Sequence, residues 1–486
     1  MHHLLRHAPL IAGLMLVANT CMAGTDDMAE GESLASRSGV VGSAFPGAVG
    51  YGQNATGWRG GEIFHVTTLD DAGPGSLRDC AENDGEPRVC VFDISGTITV
   101  KRQIRVSSNT YIAGQTAPGE GVQIRLGGGR NSPLMIFEAH DVLLRNLKFR
   151  PGASREESSN VDGLAIESSS NIYVDRVSAQ FATDENLSLG TEDLPSEDIT
   201  IARSIASLSL DKANHPSGRH SKGALLCADD GSASMCGRLT LYGNLFAHNR
   251  DRNPDIASSP SGPVDIVNNV FYNATSQFGE FRNLYGDTWI SYVGNVVLPG
   301  PSTREISPPA SFQVLPFGEE QGFVMEVYES DNLHLANQMD VMCDRSRSRP
   351  IVDEDARRFL VAEPHAPLSV TPLRSSAVFE SVLAEAGARH GPSRQLDALD
   401  ATVVENVRNC QGHRIDNPSE VGGWPDLAVE RAAPDSDGDG MPNAWEEARM
   451  GLDPNDPADT WQDRDADGWS NIEEYLSYLA GDPLLK

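Results

Sequence analysis

Six apolar-rich stretches recur through the middle of the chain: VLLRNLKF from Val142, IYVDRVSA from Ile172, ITIARSIA from Ile199, LTLYGNLF from Leu239, VDIVNNVF from Val264 and ISYVGNVV from Ile290. Each alternates apolar and polar residues, turns at Asn, Gly or Arg, and resumes with an apolar pair, which is the period of a strand and not of a helix. Their starts are 30, 27, 40, 25 and 26 residues apart. A repeat of this length built from strands alone indicates a solenoid, whose units bury their apolar face only by stacking on one another. A β-sandwich also has many short strands but would not keep so regular a period. The pattern predicts an all-β chain folded as a parallel β-helix, from about residue 60 to about residue 310. Asn244, Asn269 and Asn295 fall at one place in three successive units, as a stacked polar ladder at a turn requires.

Stacking also supplies geometry, because consecutive coils of such a helix lie about 4.8 Å apart. A second alignable strand accompanies each unit: DGLAIE from Asp162, DENLSL from Asp184, SKGALL from Ser221, and then HNRDRNPDI from His248. Asp162 and Asp184, 22 residues apart, are expected one above the other, followed by Lys222 and Arg252. The line reads Asp162, Asp184 with Glu185, Lys222, Arg252: two levels of acid, then two of base. A solvated outer face with chance alternation of charge would read the same way, but a binding face is the more informative reading. Its acidic end suits a hard cation such as calcium, which takes oxygen ligands and lets substrate and water complete its shell. Its basic end suits the carboxylates of an anionic sugar chain. Together they favour β-elimination: with the uronate carboxylate neutralised, the C5 proton becomes more acidic and a base removes it while O4 leaves. Arginine is an awkward base, since neutralising it at pH ~9 costs about 5 kcal/mol, so such an enzyme is expected to work best in alkali. A glycoside hydrolase would need paired carboxylates flanking the bond. Asp184 and Glu185 are adjacent, and neighbours on a strand point to opposite faces.

The formal net charge of −31 argues against a nucleic-acid partner, which needs a basic face, and equally against an anionic membrane surface. The first 23 residues read as an export signal, with a basic start in MHHLLRH, the apolar run APLIAGLMLVA and a small-x-small site before Gly24. The protein is therefore expected to be secreted or periplasmic, with residues 24–43 disordered. Beyond Cys21, six cysteines remain: Cys80, Cys90, Cys227, Cys236, Cys343 and Cys410. An even number in an exported chain suggests disulfides, with Cys80/Cys90 and Cys227/Cys236 as local staples and Cys343/Cys410 left over, although fifteen pairings are open.

The stretches AFPGAVGYG (44–52), RGGEIFHVTTLDDAGPGSLRDC (59–80), VFDISGTI (91–98) and IAGQTAPGEGV (112–122) resemble the N-terminal part of the pectate lyase family 1 type of polysaccharide lyase. DGLAI, ATDENLSL, HSKGAL, NLFAHNRDRNP and IDNPSEVGGWP (415–425) extend the resemblance over residues 44–426. It implies a secreted right-handed parallel β-helix that cleaves pectate or polygalacturonate by calcium-assisted β-elimination. It also implies Asp162 and Asp184 as calcium ligands, Lys222 as a substrate-binding lysine and Arg252, in the R-x-P segment, as the catalytic arginine. The sequence departs from the family pattern twice. Ser188 stands where a further acid is usual, with Glu185 as the available replacement. Asp255 stands where a second arginine usually follows R-x-P, leaving Arg250 or Arg282 to compensate as substrate-binding cations. A non-catalytic polysaccharide-binding relative is the alternative that these departures raise.

DSDGDGMPNAWE (435–446) and DRDADGWSNIEE (463–474) both satisfy D-x-[DN]-x-[DN]-G-x5-E in full, 28 residues apart. Asp435, Asp437, Asp439 and Glu446 are the expected calcium ligands of the first loop, and Asp463, Asp465, Asp467 and Glu474 of the second. Gly440 and Gly468 supply the sharp turn, and Asn443 and Asn471 fall at the ninth position. No helix precedes the first loop, so the two resemble dockerin-like or thrombospondin type 3-like loop–helix modules. A paired EF-hand-like module over 427–486, structural in role or docking to a partner, is the expectation.

Overall fold

The computed structural model describes residues 42–483, apart from 230, 232–233, 258, 304–309, 337–346 and 450. The expected export signal, nearly all of the segment 24–43, and Cys343 lie outside these residues. Three sheets of 11, 8 and 10 strands, parallel except for one terminal pair of the last, make up the stack, and each coil visits them in turn. One coil contributes Leu164–Glu167 to the 8-stranded sheet, Ser170–Asp175 to the 11-stranded sheet and Ser178–Gln180 to the 10-stranded sheet. This is a right-handed parallel β-helix. The six repeat starts stand in one column: Val142 pairs with Ile172, Ile172 with Ile199, Ile199 with Leu239, Leu239 with Val264 and Val264 with Ile290.

The alternation read from the repeats places Ile172 and Val174 in the core inside the coils and Tyr173 in a second apolar cluster outside the 11-stranded sheet. The residue that follows each of these strands takes a left-handed backbone, at Asn146, Arg176, Arg203, Gly243, Asn268 and Gly294. The Asn/Gly/Arg turns of the sequence thus serve one conformational need, which asparagine and glycine meet at low cost. One residue further, the ladder forms. Asn244 Nδ2 donates to Asn269 Oδ1 at 3.0 Å and Asn269 Nδ2 to Asn295 Oδ1 at 3.1 Å, and Asn332 extends the row at 3.1 Å.

The stack runs from Glu62 to Val361, beyond the expected limit near residue 310. Longer excursions interrupt the period there, so that Val327 pairs with Ile290 across 37 residues. Ser43, expected in a disordered segment, is buried at 3 % exposure. Cys80–Cys90 and Cys227–Cys236 are disulfides, as the local-staple reading expected.

The outer face of the 11-stranded sheet is apolar and must be covered. Phe45 and Trp58 from the N-terminal segment cover part of it, and the helix Asn471–Ala480 covers more. The helices Ser375–Glu385 and Ala398–Asn409 lie against the adjoining 10-stranded sheet, the first at Val270–Tyr272 and Val296–Leu298 and the second through Asp400 at Ser178 and Gln180. The C-terminal region is therefore not a separate appendage. Ser95 N donates to Glu430 O, Arg59 pairs with Glu473 at 2.6 Å, and Ile472 and Leu476 are buried against the sheet. Asp482 enters a fully buried ionic network with Arg145 (2.7 Å) and Arg176 (3.2 Å), which also holds Asp175. The apolar side of the last helix is used by the β-helix itself, which leaves docking to a partner without support.

Replacing Asn269 with alanine leaves the Asn244 amide and the carbonyls of Leu241 and Val267 without their side-chain partner. The expected destabilisation is about 2–3 kcal/mol, seen as a lower thermal unfolding midpoint; an unchanged midpoint would show that the ladder is not a stabilising element.

Candidate active site

The 8-stranded sheet carries the residues of the predicted charged line. Leu164 pairs with Leu187 and Glu185 with Lys222, so the column places Asp162 against Glu185, not against Asp184. The expected equivalence of Asp162 and Asp184 is off by one residue. Asp184 lies in the bend just before the strand Glu185–Thr191, and the bend turns it toward the same place as its neighbour. The expectation that adjacent Asp184 and Glu185 face apart fails for that reason, because strict alternation holds only inside a strand. Carboxylate oxygens of Asp162, Asp184 and Glu185 all lie within 4.8 Å of one another. Ser188 Oγ donates to Asp162 Oδ2 at 2.7 Å and Glu185 N to Asp162 Oδ1 at 3.1 Å, which fixes the Asp162 carboxylate.

The next coils bring the cations. Lys222 Nζ lies 2.5 Å from Asp251 Oδ1, and the backbones of Lys222 and Asp251 also bridge. Arg252 follows with a left-handed φ of 56° and pairs with Glu185. Gly223 permits this path: Ala224 N donates to Arg252 O at 2.7 Å, and a Cβ on Gly223 would lie 2.5 Å from that oxygen. Arg250 makes looser contacts, at 3.7 Å, with Asp211 and Asp251. Arg282 is engaged by Asp255 at 2.7 Å and by Glu280. Asp255 also lies 3.7 Å from Arg252 and is fully buried.

Asp251 and two histidines were not legible in the sequence. His220 Nε2 is 2.7 Å from Asp184 Oδ1 and His215 Nε2 is 3.7 Å from Asp184 Oδ2, with the two rings stacked 3.5 Å apart. They come from the segment HPSGRHSKG, inside the longest repeat unit. That excess length was the signal that something is built there.

The acids are held in an unfavourable state for charge. Burial, then Glu185, pushes Asp162 up to about 7; burial, then Asp162, pushes Asp184 up to about 7; burial, then Asp184, pushes Glu185 up to about 8. Burial pushes His215 down to about 4 and His220 down to about 3, helped by Lys222 and Arg252, so both imidazoles are neutral near pH 7. Burial lowers Arg252, but Glu185, Asp255, Asp251 and Asp184 outweigh it and raise its pKa. A groove lined by Met135, Ala165, Ser188 and Leu225 leads along the sheet to Asp162 and Glu185. Three hard oxygen donors at one end of an open groove, with cations beside them, make a place for a divalent ion and an extended polyanion.

A sequence model described as pectate lyase matches residues 5–283. A probable pectate lyase C of Emericella nidulans is 32% identical over 446 residues, covering 90% of this chain and 92% of its own length. A probable pectate lyase C of Aspergillus terreus is 31% identical over 445 residues, covering 90% and 94%. The chain belongs to the pectate lyase family. A solved Bacillus subtilis pectate lyase variant superposes with a TM-score of 0.50 at 15% identity, covering 72% of this chain and 99% of that one, which speaks to the shared fold. Within this pectate lyase fold, the sequence-predicted Asp162, Asp184, Glu185, Lys222, Arg250 and Arg252 lie on neighbouring coils, while Arg282 is tied to Asp255 one coil further on.

Two measurements follow from this geometry. Gly223→Ala is expected to displace the Arg252 backbone and lower lyase activity by tenfold or more, at about 1.4 kcal/mol per decade, with far-ultraviolet circular dichroism unchanged. Full activity would mean that the close approach is not needed. Asp162, Asp184 and Glu185 keep protons in the folded chain at pH values where the unfolded chain, with ordinary values of 3.8 and 4.5, has lost them. Their contribution to stability is present at the acid end and is lost as pH rises. In chelator, the unfolding midpoint should fall from about pH 4 to about pH 8, between the unfolded and folded values, and level off above it; thermal melts across that range check the sign.

Proposed function

We propose that this chain is an exported lyase that cleaves pectate-type polyuronate by calcium-assisted β-elimination. The observation that carries the reading is the meeting of Asp162, Asp184 and Glu185 with Lys222 and Arg252 at the end of one groove. The donor set fits calcium, since it consists of buried carboxylate oxygens close enough to share one ion. Calcium bound there supplies positive charge that offsets these carboxylates and that of the uronate, making the C5 proton easier to remove.

Asp162 and Asp184 are the proposed ligands, with Glu185 as the third carboxylate in place of the acid that Ser188 replaces. Ser188 acts through its hydrogen bond to Asp162. Lys222 and Arg250 hold substrate carboxylates, and the part-exposed Arg282, one coil further on, is a further cation for them. Arg252 takes the C5 proton; the C–H pair forms the C4=C5 double bond, and O4 leaves with the C4–O4 bond. Its pairing with Glu185 holds Arg252 protonated, so the base form is favoured by alkali and by loss of that partner. Export rests on residues 1–23; among the described residues, no helix is long and apolar enough to cross a membrane.

The test is ultraviolet absorbance of the C4=C5 bond on polygalacturonate at alkaline pH, with calcium and then with chelator. Arg252→Ala should lower kcat by about 10²–10⁴-fold, the range for loss of a general base, and Lys222→Ala should mainly raise KM. Product that survives in Arg252→Ala would remove Arg252 from the proton transfer. A new reducing end without the double bond would make the protein a hydrolase, and no product on any uronan would make it a binder.

A further inference from the structure

We propose that the loop Asp435–Glu446, completed by Asp459 from outside it, is a calcium site that clamps the C-terminal segment onto the first coils of the β-helix. This site is separate from the lyase groove and does not rest on the reading given above for it.

The loop's carboxylates form two overlapping groups, Asp435 with Asp437 and Asp439, and Asp439 with Glu446 and Asp459, each with its oxygens within 4.8 Å. Glu446 decides the matter. It is wholly buried, and neither of its carboxylate oxygens has a hydrogen-bond partner; Asp437 Oδ2 and Asp459 Oδ1 are also without one. Among the described residues, no lysine or arginine pairs with Asp437, Asp439, Glu446 or Asp459. A buried carboxylate with no counter-charge is strongly unfavourable, and proteins resolve it by pairing or by metal coordination.

The other oxygens are aimed by the backbone. Gly438 N and Gly440 N donate to the two oxygens of Asp435 at 2.8 and 2.9 Å, and Met441 N donates to Asp439 Oδ1 at 2.8 Å. Thr460 Oγ1 donates to Asp439 Oδ2 at 3.0 Å, and Asp453 N donates to Asp459 Oδ2 at 3.0 Å. Gly440, at a φ of 89°, makes the tight turn at the sixth position. Five converging carboxylates, with both oxygens of Glu446, Oδ2 of Asp437 and Oδ1 of Asp459 left without a partner, suit calcium, which takes six to eight oxygens in flexible geometry, better than magnesium, which requires a small octahedron.

The second loop differs. Asp463 and Asp465 are exposed, and Glu474 Oε2 is held by Arg464 at 2.7 Å. It supports no equivalent proposal.

The first loop sits where a clamp would act. Gly438 O faces His65 Nε2 at 3.1 Å, Gly440 lies against Ile63 and Val91 of the first two strands of the 11-stranded sheet, and Met441 is fully buried. Farther along, Trp461 meets Trp58, and the segment ends in the buried pairing of Asp482 with Arg145.

The experiment uses the full chain in an Asp184→Asn background, which removes a ligand of the lyase groove. Calcium binding is followed by calorimetry and by terbium luminescence sensitised through Trp445, and stability by thermal melts. Glu446→Gln is expected to abolish this binding and the calcium-dependent rise in midpoint. It should nonetheless be more stable than its parent in chelator, because an uncompensated buried charge is gone; this outcome also reports that the variant folds. Asp459→Asn should weaken binding tenfold or more, and Asp465→Asn should leave it unchanged. Calcium affinity unaltered by Glu446→Gln overturns the site, and unaltered by Asp459→Asn overturns that residue's part. Binding without any rise in midpoint or in resistance of the C-terminal segment to trypsin overturns the clamp.

Discussion

In-register stacking of parallel strands is the constraint on which the rest of the molecule depends. Every coil gives its backbone hydrogen bonds to the next, so a residue's neighbours in space are its column equivalents. The column cannot slip by one residue without turning every apolar side chain to the wrong face. Coils of 25 to 40 residues therefore keep register only by expelling their excess at turns. The longest unit, between Ile199 and Leu239, does this between Ser207 and Lys222, and the expelled segment carries His215 and His220 back onto Asp184.

The charge pattern of the groove follows from the same stacking. Columns bring like charges within one interstrand spacing, which solution chemistry would not tolerate, and burial sharpens the cost. Relief comes from the adjoining coils, where Arg252 meets Glu185 and Lys222 meets Asp251. The Asp255 departure from the family pattern finds its partner one coil on, in Arg282. The groove is thus a balanced set of acids and cations, and any ligand that takes one side alters the other.

A parallel β-helix with an apolar outer sheet face needs a cover, and this chain supplies it from both ends. The N-terminal segment lays Gly50 and Gly52 on the sheet, close enough for Tyr51 N and Gly52 N to bond to Thr240 and Thr200. The helix Asn471–Ala480 seals more of it, and buried ionic networks around Asp175 and Asp482 join the seal to the coil turns. Such networks contribute definition of one arrangement more than net stability.

The repeats, the asparagine ladder and the two local disulfides were legible in the sequence, as was the succession of Asp162, Lys222 and Arg252 on later coils, although Asp251 and not Arg252 bridges Lys222. They rest on short-range periodicity, and stacking turns a period directly into a position. The one-residue error between Asp162 and Asp184 arose because a bend, not a strand, carries Asp184, and no pattern marks where alternation stops. The histidine pair, Asp251 and Asp459 reach their sites through loops whose course depends on what they pack against. The sequence alone therefore determined that this chain is a stacked coil with a charged line along it. Only the tertiary structure decided which oxygens meet, because loop paths and the docking of the C-terminal segment are set by burial between parts of the chain far apart in sequence.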